Sequence, residues 1–274
     1  NYEPLPEFSF YDKEMNTVLA DIRPKENEFW RIEKTFMHDN NDGMRFNFPT
    51  ITHFNSALER KTVDLMSDLG FAVTKNSING TNPTKLTDAI FGIKYYLHGN
   101  NITDDFISSV EVEVPGIKIL KDKSTRPDLL DFKKQNGTEY IEVYSNDMTM
   151  PLGILAEKEI STLHSERLNP IDFQEYIANA IDGRDDEINY FERKAINPPT
   201  LLNIRETESE NLTKYLRDDA EEDAKLSYSF ICEKGSSYYL SVSNTLNKNN
   251  STLELDGKKL ANKRVGSNST SQVY

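Results

Sequence analysis

The stretch that most constrains this chain runs from Arg126 to Lys158, where apolar runs on either side of Asn136-Gly137 carry the acids Asp128 and Glu142. Asn-Gly is a strong turn signal, and the flanking Leu, Phe, Tyr, Ile and Val residues stand at strand spacing, so a β-hairpin followed by a helix is expected. Side chains alternate faces along a strand, so the hairpin register decides whether the two acids meet. A two-residue Asn136-Gly137 loop sets Asp128 opposite Ser145 and sends Glu142 to the other face. A three-residue loop, Gln135 to Gly137, sets Asp128 opposite Tyr144 and Leu130 opposite Glu142, and both carboxylates then share a face.

Carboxylates held close repel and raise one another's pKa unless a cation sits between them, so such a pair either shares a proton or holds a divalent metal. A lysine on the following helix favours the metal. The order Pro127-Asp128, then Glu142 a hairpin later, then a lysine resembles the PD-(D/E)xK nuclease superfamily, with one departure. Glu142-Val143-Tyr144 has no lysine two residues after the glutamate, and Lys158 takes its place. With that displacement the chain is similar to the cap-snatching endonucleases of segmented negative-strand RNA viruses, of the kind that nairovirus L proteins carry. Their order is a helix-borne histidine, an acid opening a later helix, Pro-Asp, a hairpin Glu and a helix Lys. His53, Asp88, Asp128, Glu142 and Lys158 follow it over roughly residues 50 to 165.

The resemblance implies a mixed central β-sheet flanked by helices, a PD-(D/E)xK-like endonuclease core, and two-metal phosphodiester hydrolysis. Asp128 would bridge two Mn²⁺ or Mg²⁺ ions, with His53, Glu142 and the Val143 carbonyl completing one shell and Asp88 the other. A histidine ligand tilts the preference toward Mn²⁺, and Lys158 would orient the attacking water or offset charge. It further implies single-stranded RNA, capped host mRNA, as substrate, the remainder of a viral RNA polymerase as partner, the host cytoplasm as location, and a monomeric isolated domain.

Each residue also has a plainer reading. His53 falls in the first turn of a helix expected over Ile51–Leu69, where a surface histidine is ordinary. Asp88 near the start of a helix expected over Thr84–His98 complements the helix dipole. Lys158 stands inside the charged cluster Glu157-Lys158-Glu159, and Asp64, Asp68, Glu111 and Glu113 rival Asp88 as the second metal's ligand.

Composition narrows the classes. Length allows one large domain or two small ones, and the single cysteine, Cys232, excludes an internal disulfide. No apolar run reaches the length of a membrane span and no signal peptide opens the chain, so no membrane contact is expected. A net charge of −13 opposes general nucleic-acid binding, and a local basic strip, Lys118, Lys121, Lys123 and Arg126, would have to supply it.

The expected organisation is an N-terminal arm over 1–50, a core over 51–205, a helix with a small antiparallel β addition over 206–260, and a tail over 261–274. Within it, helices are expected around Glu26–Phe36, Leu152–Leu163, Pro170–Ile181, Asp185–Ala195 and Thr207–Ala224, a hairpin or bent strand over Val110–Leu120, and three short strands within Leu226–Glu233, Tyr238–Ser243 and Thr252–Leu255. The alternatives are a DNA nuclease of restriction or repair type and a non-catalytic domain serving assembly, in which the hairpin acids are surface residues.

Overall fold

The computed structural model describes residues 5–80, 84–100, 117–120, 126–156, 160, 168–184, 186–209, 212–243, 254–259 and 271–273. The chain divides into two compact units, Asn1–Ile188 with Tyr238–Tyr274, and Asn189–Ser237. The architecture is mixed α/β, with several small sheets and few helices.

In the first unit, α1 (Leu5–Ile22) is followed by β1 (Arg31–Lys34), the short α2 (Asp42–Arg45), β2 (His53–Phe54), α3 (Arg60–Asp68), β3 (Ala72–Val73) and β4 (Ser77–Asn79). Then come α4 (Lys85–Ile90), β5 (Ile93–Gly99), β6 (Lys133–Gln135), β7 (Ile141–Ser145) and α5 (Pro170–Asp182). The main sheet has the order β1-β5-β7-β6, with β1 parallel to β5 and the remaining pairs antiparallel. Tyr11, Met15, Val18, Leu19 and Ile22 recur at helical spacing on α1, and they pack with Ile32, Leu97, Ile141 and Val143 of the sheet. Strand alternation turns Glu33, Tyr96 and Tyr144 to the opposite face. There Tyr96 and Tyr144 join Val63 and Met66 of α3 and Phe173 and Ile177 of α5 in a second core. β2, β4 and β3 form a separate three-stranded sheet.

Helix ends follow local chemistry. Asn169 caps α5 by accepting from the amides of Ile171 and Asp172, Pro170 fills the first helical position, and Gly183 ends it in the left-handed region at φ 72°. This helix covers the expected Pro170–Ile181. The helix expected over Thr84–His98 is cut in two. Gly92 turns the chain at φ 63°, and the aromatic and branched run after it becomes β5. The helix expected over Ile51–Leu69 begins only at Arg60, because the Asn55 side chain accepts from the Ala57 amide and holds a turn there. Its buried face is Val63 and Met66, and Leu65 and Phe54 of the expected stripe are exposed.

The expected helix around Glu26–Phe36 is the strand β1, and the helical residues of the N-terminal region are those of α1, upstream of it. The Asn136-Gly137 hairpin forms with a longer loop than either expected register. Lys134 lies opposite Tyr144 and Gln135 opposite Val143, and Pro127–Asp131 is a 3-10 turn ahead of β6. Pro127 supplies the fixed φ that opens such a turn, so Asp128 stands on no strand. The Val110–Leu120 expectation is replaced over Ile117–Leu120 by a 3-10 turn and otherwise lies outside the described residues. Residues 152–156 are not helical, and most of the rest of the Leu152–Leu163 expectation also lies outside them.

The second unit pairs β8 (Thr200–Leu202) with β11 (Lys225–Ser227), and β9 (Ile204–Ser209) with β10 (Leu212–Arg217). The hairpin β9-β10 stands where a charged helix is expected after Thr207. Its two strands set Thr213 opposite Glu208 and Tyr215 opposite Glu206, so β-branched and aromatic residues support cross-strand pairs. The described residues of Asp185–Ala195 are likewise not helical. Back in the first unit, β12 (Ser241–Ser243) pairs with β15 (Ser271–Val273). β13 (Glu254–Leu255) pairs with β14 (Lys258–Lys259) across Asp256-Gly257, both at positive φ. Of the three short strands expected near the C-terminus, Tyr238–Ser243 and Thr252–Leu255 contain β12 and β13, while Leu226–Glu233 overlaps β11 only at Leu226 and Ser227.

Candidate functional site

Arg126 is buried between the two aspartates that the sequence singles out. Asp88, on α4 and fully enclosed, accepts from Arg126 Nη2 at 2.7 Å and from the Tyr96 hydroxyl at 2.8 Å. Asp128, second residue of the 3-10 turn, takes a two-pronged contact from Arg126 Nε and Nη2 at 2.9 and 3.0 Å, and the Tyr239 hydroxyl donates to it at 2.8 Å. The guanidinium also donates to Tyr96 Oη at 2.8 Å and lies over that ring, 4.6 Å from its centroid. Tyr239 Oη accepts in turn from the Lys85 amide at the start of α4. The planar fork of arginine suits two carboxylates at once.

Two carboxylates and one guanidinium leave the cluster with one excess negative charge in a buried setting. Burial pushes the Asp88 carboxyl up, to about 6, against the lowering pull of Arg126. Burial also raises the hydroxyls of Tyr96 and Tyr239. Burial works against the charged form of Arg126, but Asp88, Tyr96 and Asp128 outweigh it and hold its pKa well above the ordinary value. The cation that two converging carboxylates require is therefore supplied by the chain itself. Sequence reasoning placed Arg126 on a basic surface strip. Its position two residues before Asp128, separated by a proline, was the available signal.

The other expected site residues stand elsewhere. Glu142 on β7 is bound by Lys134 Nζ and accepts from the Tyr144 hydroxyl at 2.7 Å. Burial would raise its carboxyl, yet these two bonds and nearby His98 hold it below the usual carboxylate range. No hydrogen-bond or ion-pair partner is common to Glu142 and Asp128 among the described residues. Val143 is fully buried and its main chain is paired on both sides, with Leu97 and with Gln135. His53 lies on β2 and not on a helix, and its Nδ1 donates to the Ile51 carbonyl at 2.8 Å. Lys158, Glu111 and Glu113 lie outside the described residues, and Asp64 is paired with Arg60 on the surface of α3. No group of three or more His, Cys, Asp or Glu side chains arranged to hold a metal ion occurs among the described residues.

Two further buried charges escaped the sequence reading. Glu33 on β1 accepts from the amides of Ile51 and Thr52 and from the hydroxyls of Thr50 and Thr52, which ties the start of the β2 segment to the main sheet. Lys34, its neighbour, pairs with Asp42 of α2, and the Tyr11 hydroxyl donates to the same carboxylate at 2.7 Å. In all three places, buried ions join separate stretches of chain.

No curated protein and no solved structure matches the chain. A family model described as Bacterial membrane protein YfhO matches residues 5–273. That match overturns the resemblance to a nairovirus-type cap-snatching endonuclease, with the RNA-cleaving activity and the place in the host cytoplasm that it implied. The five-residue order behind the resemblance is sparse, whereas the family match spans nearly every position. No helix among the described residues is long and apolar enough to cross a membrane. By the extent of the match, this chain belongs to the YfhO family of bacterial membrane proteins.

Proposed function

We propose that this chain is a non-catalytic module of a bacterial membrane protein, standing in water beside the bilayer and serving assembly or binding. The observation that carries this reading is the cluster around Arg126. The oxygens of Asp88 and Asp128 that chemistry would need are taken up by Arg126, Tyr96 and Tyr239. Buried ion networks of this kind add little net stability over an apolar replacement, but breaking one member is costly, so they serve to hold one arrangement against others. Here the arrangement held is that of α4, β5, the 126–131 turn and the segment at Tyr239. The family supplies the membrane context.

The test is whether function follows folding. In the full-length protein, Arg126→Met should lower thermal stability and cellular activity together, and the combined neutral set Asp88→Asn, Arg126→Met and Asp128→Asn should recover part of both, because it leaves no lone charge buried. A variant that melts as the wild type does yet loses all activity would point to chemistry at the cluster. Adding Mn²⁺ or Mg²⁺ is expected to leave the melting temperature unchanged. A rise that Asp128→Ala abolishes would return a metal to the site.

A further inference from the structure

From the geometry of the loop after β7 we infer that residues Met148–Leu155 dip into the interfacial layer of the lipid bilayer. This rests on the reading above, that the chain belongs to a membrane protein and stands beside its membrane. The loop has a fixed base. Asn146 donates from its amide to the Lys94 carbonyl and from its side chain to the Ile93 carbonyl, and its own side-chain oxygen accepts from the Met148 amide. The Met150 amide bonds to the Ala89 carbonyl at the end of α4, and the Met150 carbonyl lies only 2.9 Å from where a Cβ on Gly92 would stand. Met148 within this base is 66% exposed, and beyond it the apolar side chains face outward: Leu152 is 66% exposed, Ile154 41% and Leu155 93%.

A row of exposed apolar side chains on an anchored base needs a cover. Charge selects which. The stretch Met-Thr-Met-Pro-Leu-Gly-Ile-Leu-Ala, residues 148–156, carries no ionisable side chain, while the chain as a whole carries −13. An acidic protein gains nothing from anionic headgroups, so the contact must come from apolar burial at the headgroup and acyl boundary, where leucine and isoleucine side chains are favoured. Pro151 and Gly153 within the tip keep it from continuing as helix, so the loop touches the membrane and does not span it.

The experiment uses the full-length protein with every cysteine replaced by serine, Cys232 among them, reconstituted in phosphatidylcholine bilayers, with a polarity-sensitive fluorophore on Leu155→Cys. A control label goes on Met44→Cys, an exposed position on α2. The label at 155 should emit to the blue of the control and lose most of its emission when the lipids carry bromine on their upper acyl carbons, and the control should do neither. Adding Leu152→Asp and Ile154→Asp should return the 155 label to the emission of the control. Emission in the water range at 155, with the protein still recovered in the membrane fraction, overturns the loop contact alone. A blue shift without bromine quenching means that protein covers the loop, and this also overturns it. Failure of the full-length protein to fractionate with membranes would instead sink the reading of the chain as part of a membrane protein.

Discussion

Two cations from the same short stretch of sequence, Arg126 and Lys134, each neutralise an acid that the motif reading singled out, and they do so under opposite conditions. Arg126 is about 3% exposed and reaches two aspartates from α4 and its own turn. Lys134 is 60% exposed and reaches Glu142 across two neighbouring strands. Both side chains carry a single positive charge. Burial makes the first an organiser of the core and leaves the second a surface pair, since an exposed pair is worth about 0 to 1 kcal/mol and an uncompensated buried charge costs about 3 to 5 kcal/mol.

The comparison breaks most sharply at Arg126. Arg126→Met should lower unfolding free energy by about 3 to 5 kcal/mol in a urea titration, because two enclosed carboxylates lose their cation. Tyr239→Phe removes one hydroxyl from the Asp128 carboxylate and should cost about 1.5 to 3 kcal/mol in the same titration. Asp88 adds a pH signature opposite in sign to that of Glu142, whose carboxyl is held low. Its carboxyl titrates near 6 when folded, above its ordinary value, so the folded state holds the proton more tightly than the unfolded one. Its contribution is therefore fully present below about pH 4 and is lost as pH rises through about 6. The difference between the wild-type and Asp88→Asn stability curves should slope across that window and be flat above it. Smallest of all, Lys134→Ala should change stability by at most about 1 kcal/mol, and raising salt should erase the difference. An effect at Lys134 as large as that at Arg126 would end the distinction.

The same stretch shows how far the sequence could be read. The Asn136-Gly137 hairpin, the helix opening at Pro170 and the Asp256-Gly257 turn were legible, because each rests on chemistry within a few residues. A cation shared by Asp128 and Glu142 is the expectation, whereas the structure joins Asp128 through a shared cation to Asp88, expected only as a second metal's ligand. That cation was not legible, because Arg126 meets Asp88 across 38 residues of sequence and only the folded chain buries it. Asp128 was assigned to a strand on alternation alone, and Pro127 overrode that pattern with a 3-10 turn. Gly92 split one expected helix, and paired β-strands replaced another in the second unit, where charged residues on both strands resemble a solvated helix face. Helix α1 went unread although Tyr11, Met15, Val18, Leu19 and Ile22 mark its buried side.

The bond from Tyr239 to Asp128 closes a gap of 111 residues. During synthesis at roughly 5 to 20 residues per second, the aspartate waits on the order of ten seconds for this hydroxyl to be made. Throughout that wait the nascent chain holds its arginine and two acids with one donor missing. This bond of the cluster forms only after the whole second unit has been translated.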